Sequence, residues 1–123
     1  MIRDNVAVLI VEDDLLQSLL LQKLSLSLGY VVVGKAETGQ EAIDLATNLK
    51  PDLIMMDIML ADDIDGIEAA IEIQKVIDVD LVYLSANKDK NILKRVSETN
   101  YREFFRKPFA IELLKDFLGQ YVR

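Results

Sequence analysis

A short apolar run followed by an amphipathic segment recurs five times along this chain, and that rhythm limits the fold more than any other feature. Val6–Val11 is continuously apolar, as expected of a strand buried on both faces. Leu15–Leu28 follows, with leucines at 16, 20, 24 and 28 and others at 15 and 19, a helical spacing read as one core-facing stripe. Gly29 suits the end of that helix. Tyr30–Val33 is aromatic and β-branched, hence a second strand. Thr38–Leu49 reads as a second helix on Ala42, Ile43, Ala46 and Leu49, ended by Lys50-Pro51. Asp52–Asp57 is a third strand, and Gly66–Ile77 a third helix with Ile67, Ala70, Ile71 and Gln74 on one stripe and Ile77 below. Leu81–Leu84 is a fourth strand. The fourth helix, Lys88–Glu98, has a thin stripe of Ile92, Leu93 and Val96. Arg102–Arg106 is a fifth strand around Phe104 and Phe105, and Ala110–Tyr121 a fifth helix carrying Ile111, Leu114, Phe117, Leu118 and Tyr121.

Five strand–helix units with short joints predict an α/β fold: a doubly wound, five-stranded parallel sheet with helices on both faces. The usual arrangement for this count is a three-layer αβα sandwich of strand order 2-1-3-4-5. One domain is expected over residues 1–123, since the chain has two prolines, no low-complexity stretch and no charge block. A chain of this length hides roughly two-thirds of its unfolded surface, enough for a core without staples.

Composition narrows the chemistry. With no Cys and no His, disulfides, thiolate metal sites, a Cys nucleophile and an imidazole base are all excluded. A bound metal must be held by oxygen, which points to magnesium or calcium. The net charge of −7, from 14 basic and 21 acidic residues, argues against direct nucleic-acid binding. The N-terminus lacks a signal-peptide pattern, and the longest apolar run is too short to span a bilayer, so a cytoplasmic protein with no membrane partner is expected.

In a parallel sheet all strands end on one edge, and ligands bind where the strand order reverses, here between strands 1 and 3. Strand 1 runs into Glu12-Asp13-Asp14, strand 3 ends in Asp57, strand 4 leads to Ser85, and strand 5 to Lys107. Clustered carboxylates stay ionised only with cations among them. Mg²⁺ fits, because it takes one or two carboxylates and shares oxygens with a phosphoryl group. A lysine supplies charge to a phosphate oxygen, and a serine can donate to another. A nucleotide site would need a glycine- or hydroxyl-rich loop after strand 1, where this chain has Glu-Asp-Asp.

Each residue taken alone has an ordinary reading. Glu12-Asp13-Asp14 could cap the first helix, Asp57 and Ser85 could be turn or cap residues, Lys107 a surface lysine and Phe104 core. Their common edge favours the site. Asp63, Asp65, Gly66 and Glu72 match positions 3, 5, 6 and 12 of a calcium-binding EF-hand loop. Position 1 would be Ala61, which cannot ligate, and the loop follows a strand, so a solvated loop turning at Asp65-Gly66 is expected instead.

The segments "VLIVEDD", "PDLIMMDIML…DGIEAA", "LVYLSA" and "FFRKPF", in this order and spacing, resemble the receiver domain of two-component response regulators, over essentially the whole chain. The "DIML…DGIEAA" wording is also similar to receivers associated with sensor histidine kinases. The resemblance implies a flavodoxin-like, CheY-like fold. It implies that Asp57 accepts a phosphoryl group from a phosphohistidine on a sensor histidine kinase or phosphotransfer domain; the absence of His here fits a donor imidazole from elsewhere. It further implies Mg²⁺ held by Asp13, Asp57 and the backbone carbonyl of Met59, with Glu12 holding a metal-bound water. Ser85 would sense the phosphoryl group, Lys107 would bind its oxygens, and Phe104 takes the aromatic switch position. The Lys107–Pro108 bond is often cis in this family.

The chain departs from the family pattern in several places. Ser85 stands for the commoner Thr, and Phe104 for the commoner Tyr, so a phenolic hydroxyl is not available to the switch. The loop Leu60–Asp65 lacks the usual proline and looks one residue longer, adding Asp62 and Asp63 near the site, where they bear on metal affinity or partner choice. Asn87 lies where receivers tune hydrolysis. The implied output is a shift of the face formed by helix 4, strand 5 and helix 5, read by a downstream protein target, with a phosphorylation-dependent dimer left open. The chain stops at Arg123, so it is read either as a single-domain regulator or as a receiver from something longer. Two alternatives stand beside this one. A pseudo-receiver would bind partners without being phosphorylated. A phosphatase of the haloacid dehalogenase kind would need a second Asp two residues past Asp57, where Met59 stands.

Overall fold

The apolar runs become strands and the amphipathic segments helices in strict alternation: β1 (Ala7–Val11), α1 (Leu15–Ser27), β2 (Val31–Ala36), α2 (Gly39–Leu49), β3 (Leu53–Asp57), α3 (Gly66–Gln74), β4 (Asp80–Ser85), α4 (Lys90–Val96), β5 (Glu103–Arg106) and α5 (Ile111–Gln120). The computed structural model describes residues 6–86 and 89–121; Asn87, and Lys88 at the expected start of the fourth helix, lie outside them. The strands form one sheet of order β2-β1-β3-β4-β5, parallel throughout.

The period-two alternation of strand side chains divides the core into two layers. Leu9, Val11, Ile54, Met56, Leu81 and Tyr83 face Ala42 and Ala46 of α2, Ile67, Ala70 and Ile73 of α3, and Ile92 and Val96 of α4. Val8, Ile10, Leu53, Met55, Val82, Leu84 and Phe105 face Leu21 of α1 and Leu114 and Leu118 of α5. Three layers result, with α1 and α5 on one side and α2, α3 and α4 on the other.

The first helix does not bury the stripe expected of it. Leu16 is 78% exposed, Leu15, Leu19 and Leu20 are exposed too, and the buried side is Ser18, Leu21 and Ser25. Leu24 and Leu28 do pack against the α1–α5 core layer. The cause is geometric. A row spaced by four residues advances about 40° per step on a helix of 3.6 residues per turn, so Leu16 and Leu28 point about 120° apart. Ser25 is tolerated inside because its hydroxyl donates to the Leu21 carbonyl at 2.8 Å.

Smaller differences follow from pairing and packing. The second strand starts after Tyr30 and runs to Ala36, because it pairs with β1 as far as Val11. Tyr30 is buried, and its hydroxyl donates to the Leu118 carbonyl. The third helix stops at Gln74, and its buried side is Gly66, Ile67, Ala69, Ala70 and Ile73, with Ile71 and Ile77 partly buried against the same layer. Gln74 instead makes paired hydrogen bonds with the Asn100 backbone, at 2.7 and 3.1 Å. In α4, Ile92 and Val96 are buried and Leu93 is exposed. The turn at Asp65-Gly66 is as expected, since Asp65 N-caps α3. No helix among the described residues is long and apolar enough to cross a membrane.

Candidate functional site

Strand ends deliver the polar residues. Glu12 directly follows β1, and its amide is held by the Ala36 carbonyl at 2.9 Å. Its carboxylate is 3% exposed, with Oε2 accepting from the Asp14 amide at 3.2 Å and Oε1 paired with Lys107 Nζ at 2.8 Å. Asp57 closes β3, is 7% exposed, and lies 3.5 Å from the same ammonium through Oδ2. Its Oδ1 accepts from the Met59 amide at 3.3 Å. Asp13 sits at the exposed mouth. Glu12, Asp13 and Asp57 each offer an oxygen, and these lie within 4.8 Å of one another.

The electrostatics follow from crowding. Burial, then the neighbouring Glu12, pushes the Asp57 carboxyl up to about 7, against the pull of Lys107 and the Met59 amide. Burial and Glu12 also raise Asp13. For Lys107, burial favours the neutral amine, but Glu12 and Asp57 outweigh it and the ammonium is held more firmly than usual. One lysine thus offsets three carboxylates, leaving the group short of positive charge. Its donors are all oxygen, which suits a divalent cation of the Mg²⁺ or Ca²⁺ kind.

Ser85 ends β4 fully buried, and its carbonyl accepts from the Lys107 amide at 2.8 Å, which ties the ends of β4 and β5 together. The Lys107–Pro108 bond is cis. Phe104 lies one pleat further back. It pairs in register with Tyr83, with ring centroids 6.2 Å apart. Tyr83 and Ser85 are two apart on one strand, so Phe104 lies in the row that leads to Ser85. Met59 lies two residues past Asp57 with its side chain exposed. The edge therefore gathers Glu12, Asp13, Asp57 and Lys107, with Ser85 adjoining and Phe104 behind.

Asp14 caps α1 as its ordinary reading allowed, accepting from the Gln17 amide at 3.1 Å. Two other residues acquire roles the sequence did not reveal. Asp62 does not face the carboxylates. It accepts from the Gly39 amide at 2.7 Å and the Gln40 amide at 3.0 Å, at the start of α2. Those bonds hold its carboxyl below the usual range. Arg95 of α4 grips Asp65, with Nη1 2.8 Å from Oδ2 and Nη2 3.1 Å from Oδ1. Only a negative charge at the end of one segment and a positive charge in another hinted at that pair.

The family model for the response regulator receiver domain matches residues 8–118. The transcriptional regulatory protein PdtaR of Mycobacterium tuberculosis is 38% identical over 104 residues, covering 85% of this chain and 50% of PdtaR. This chain spans about half the length of the curated relatives it first matches. Among solved structures, the signal receiver domain of a modulated diguanylate cyclase from Desulfovibrio desulfuricans G20 superposes with a TM-score of 0.85 at 32% identity, covering 94% of this chain and 91% of that one. The receiver domain of sensor histidine kinase PA1611 from Pseudomonas aeruginosa PAO1, described with a magnesium ion coordinated in its active-site cleft, gives 0.81 at 26% identity, covering 95% and 97%. The sheet order, the acidic cluster beside Lys107 and these matches agree: the chain belongs to the response regulator receiver domain family.

Proposed function

We propose that residues 1–123 form a phosphoacceptor receiver that takes a phosphoryl group from a phosphohistidine of a sensor histidine kinase or phosphotransfer domain. The observation that carries this reading is the grouping of Glu12, Asp13 and Asp57 oxygens within 4.8 Å beside the Lys107 ammonium. An Asp57 oxygen attacks phosphorus, the P–N bond breaks with its electron pair going to the imidazole, and an acyl phosphate forms. Lys107 moves from offsetting carboxylates to offsetting phosphoryl oxygens. Ser85 donates its hydroxyl to one of them. Asp13, Asp57 and the Met59 carbonyl would hold Mg²⁺, with Glu12 reaching it through a water, and the ion would supply charge neutralisation at the transferring group. Such chemistry is mostly positioning, and the turnover assigned to the chain is its own phosphorylation and dephosphorylation alone.

The donor's approach is supported by the exposed leucines of α1. A cavity of about 430 Å³ lined by Leu20, Lys107, Pro108, Phe109 and Ile111 extends that apolar rim to the site. The output runs the other way. Phosphorylation adds charge and acceptor oxygens at Asp57. Ser85 and Lys107 follow them inward, Phe104 turns towards the space left, and the α4–β5–α5 face shifts for a downstream protein or a second copy. The thin anchoring of α4 supports this, since weakly packed elements are the ones that move.

Intact mass after incubation with acetyl phosphate or phosphoramidate, with and without Mg²⁺, tests the reading. A single Mg²⁺-dependent phosphoryl adduct, absent from Asp57→Asn, is expected. No adduct, together with no response to beryllofluoride, would favour the pseudo-receiver, an acidic pocket serving structure or binding alone.

A further inference from the structure

The loop after β3 is anchored at a point the acceptor chemistry does not require. Its near end is set by the Met59 amide on Asp57, and its far end by the Gly66 amide on the Ile58 carbonyl at 2.8 Å. Between them, Asp62 reaches across to α2. That helix already has an N-cap, since the Thr38 hydroxyl accepts from the Glu41 amide at 3.0 Å and the Thr38 carbonyl from the Ala42 amide. The first-turn amides left over are those of Gly39 and Gln40, and Asp62 takes both, one on each carboxylate oxygen. The loop seats closely there: a Cβ on Gly39 would stand 2.3 Å from the Ile64 carbonyl oxygen. The Ala61 amide adds a contact to the Glu37 carbonyl at 3.4 Å.

We infer that Asp62 is a positioning residue for the cation: its two-pronged clamp on the Gly39 and Gln40 amides fixes the β3–α3 loop and, through it, the Met59 carbonyl. The inference rests on the proposed reading of the site. The two N–H donors fall on separate oxygens, so both ends of the Asp62 side chain act as acceptors. An amide would keep one acceptor and turn an NH₂ towards the other N–H. Asp62→Asn therefore breaks the clamp while leaving Thr38 to cap the helix.

The test is Mg²⁺ titration of the full chain, followed by the amide chemical shifts of Asp13 and Met59, alongside thermal midpoints. Asp62→Asn is expected to weaken Mg²⁺ binding about tenfold, the scale for losing a residue that orients a metal ligand. Two controls separate positioning from its rivals. Thr38→Ala removes the other cap of the same helix and should lower the midpoint while leaving Mg²⁺ affinity within about twofold. Asp63 is exposed and lies outside the carboxylate cluster, contrary to the expectation that it bears on the metal, so Asp63→Asn removes the same charge from the same loop without touching the clamp and should also stay within about twofold. An Asp62→Asn affinity within twofold of the parent, or an equal loss in either control, overturns the inference and leaves the receiver reading standing. A parent chain with no Mg²⁺-dependent shift overturns both.

Discussion

Two helices flank the acidic edge on the same face of the sheet, and they are held very differently. The nine residues of α3 bury five side chains or glycines, and the loop leading into the helix is tied at both ends and to α2. By contrast, α4 has seven residues and buries two. Its outward ties run from Arg95 to Asp65 and, at 3.9 Å, to Glu68; the Arg95–Asp65 pair is partly open to solvent, and Asp65 belongs to the fixed side as the cap of α3. Tyr83, buried with Ile92 and Val96 of α4, meets the rings of Phe104 and the exposed Tyr101, and its hydroxyl is bonded to Thr99 at 2.8 Å. One wall of the site is thus firmly tied and the other lightly. Under the receiver function proposed above, the tied wall would keep the metal-binding geometry and the lightly held one would carry the readable change.

The fixed wall breaks most visibly at Gly66. A Cβ there would stand 2.1 Å from the Asp57 carbonyl oxygen and 2.9 Å from the Ile58 Cα, both backbone atoms with little freedom to yield. Gly66→Ala is expected to cost about 2–3 kcal/mol, read by urea unfolding.

The charge held between the walls comes next. Asp57 protonates more readily folded than unfolded, since its folded value is raised from 3.8 to about 7. The stability this group contributes is present at low pH and is lost as pH rises through about 7. In EDTA, Asp57→Asn should therefore be more stable than the parent by at least about 1 kcal/mol at pH 7.5. The gain should shrink towards pH 4, and thermal midpoints across that range check the sign.

On the movable side the effects are smaller. Tyr83→Phe deletes the buried bond to Thr99 and should cost about 1 kcal/mol, with faster amide exchange confined to α4 and the start of β5. Arg95→Ala removes a pair too exposed to matter much globally, about 0.5 kcal/mol. It should still raise exchange in α4 while leaving α3 unchanged. Equal loosening of both helices would erase the contrast.

The sequence made the strand ends legible, because three site residues follow directly on an apolar run: Glu12 after Val11, Asp57 after Met56, Ser85 after Leu84. Parallel topology then does the gathering. The inward face of α1 was not legible, since leucines lie on all its sides and a four-residue row drifts round the helix. Nor was the turn of Asp62 away from the carboxylates. Its partners lie 22 and 23 residues earlier and are backbone amides, which carry no mark in the side-chain pattern. The Arg95–Asp65 grip spans 30 residues and was hidden for the same reason.

The most direct measurement is hydrogen exchange on the whole chain with Mg²⁺, before and after addition of beryllofluoride as a phosphoryl mimic. The account predicts that the largest change in uptake falls in α4 and β5, across Lys90–Arg106, while residues 37–42 and 58–66 change little once Mg²⁺ is bound. A larger change in the clamped loop than in α4, or a mimic that binds and leaves α4 unaltered, would contradict it.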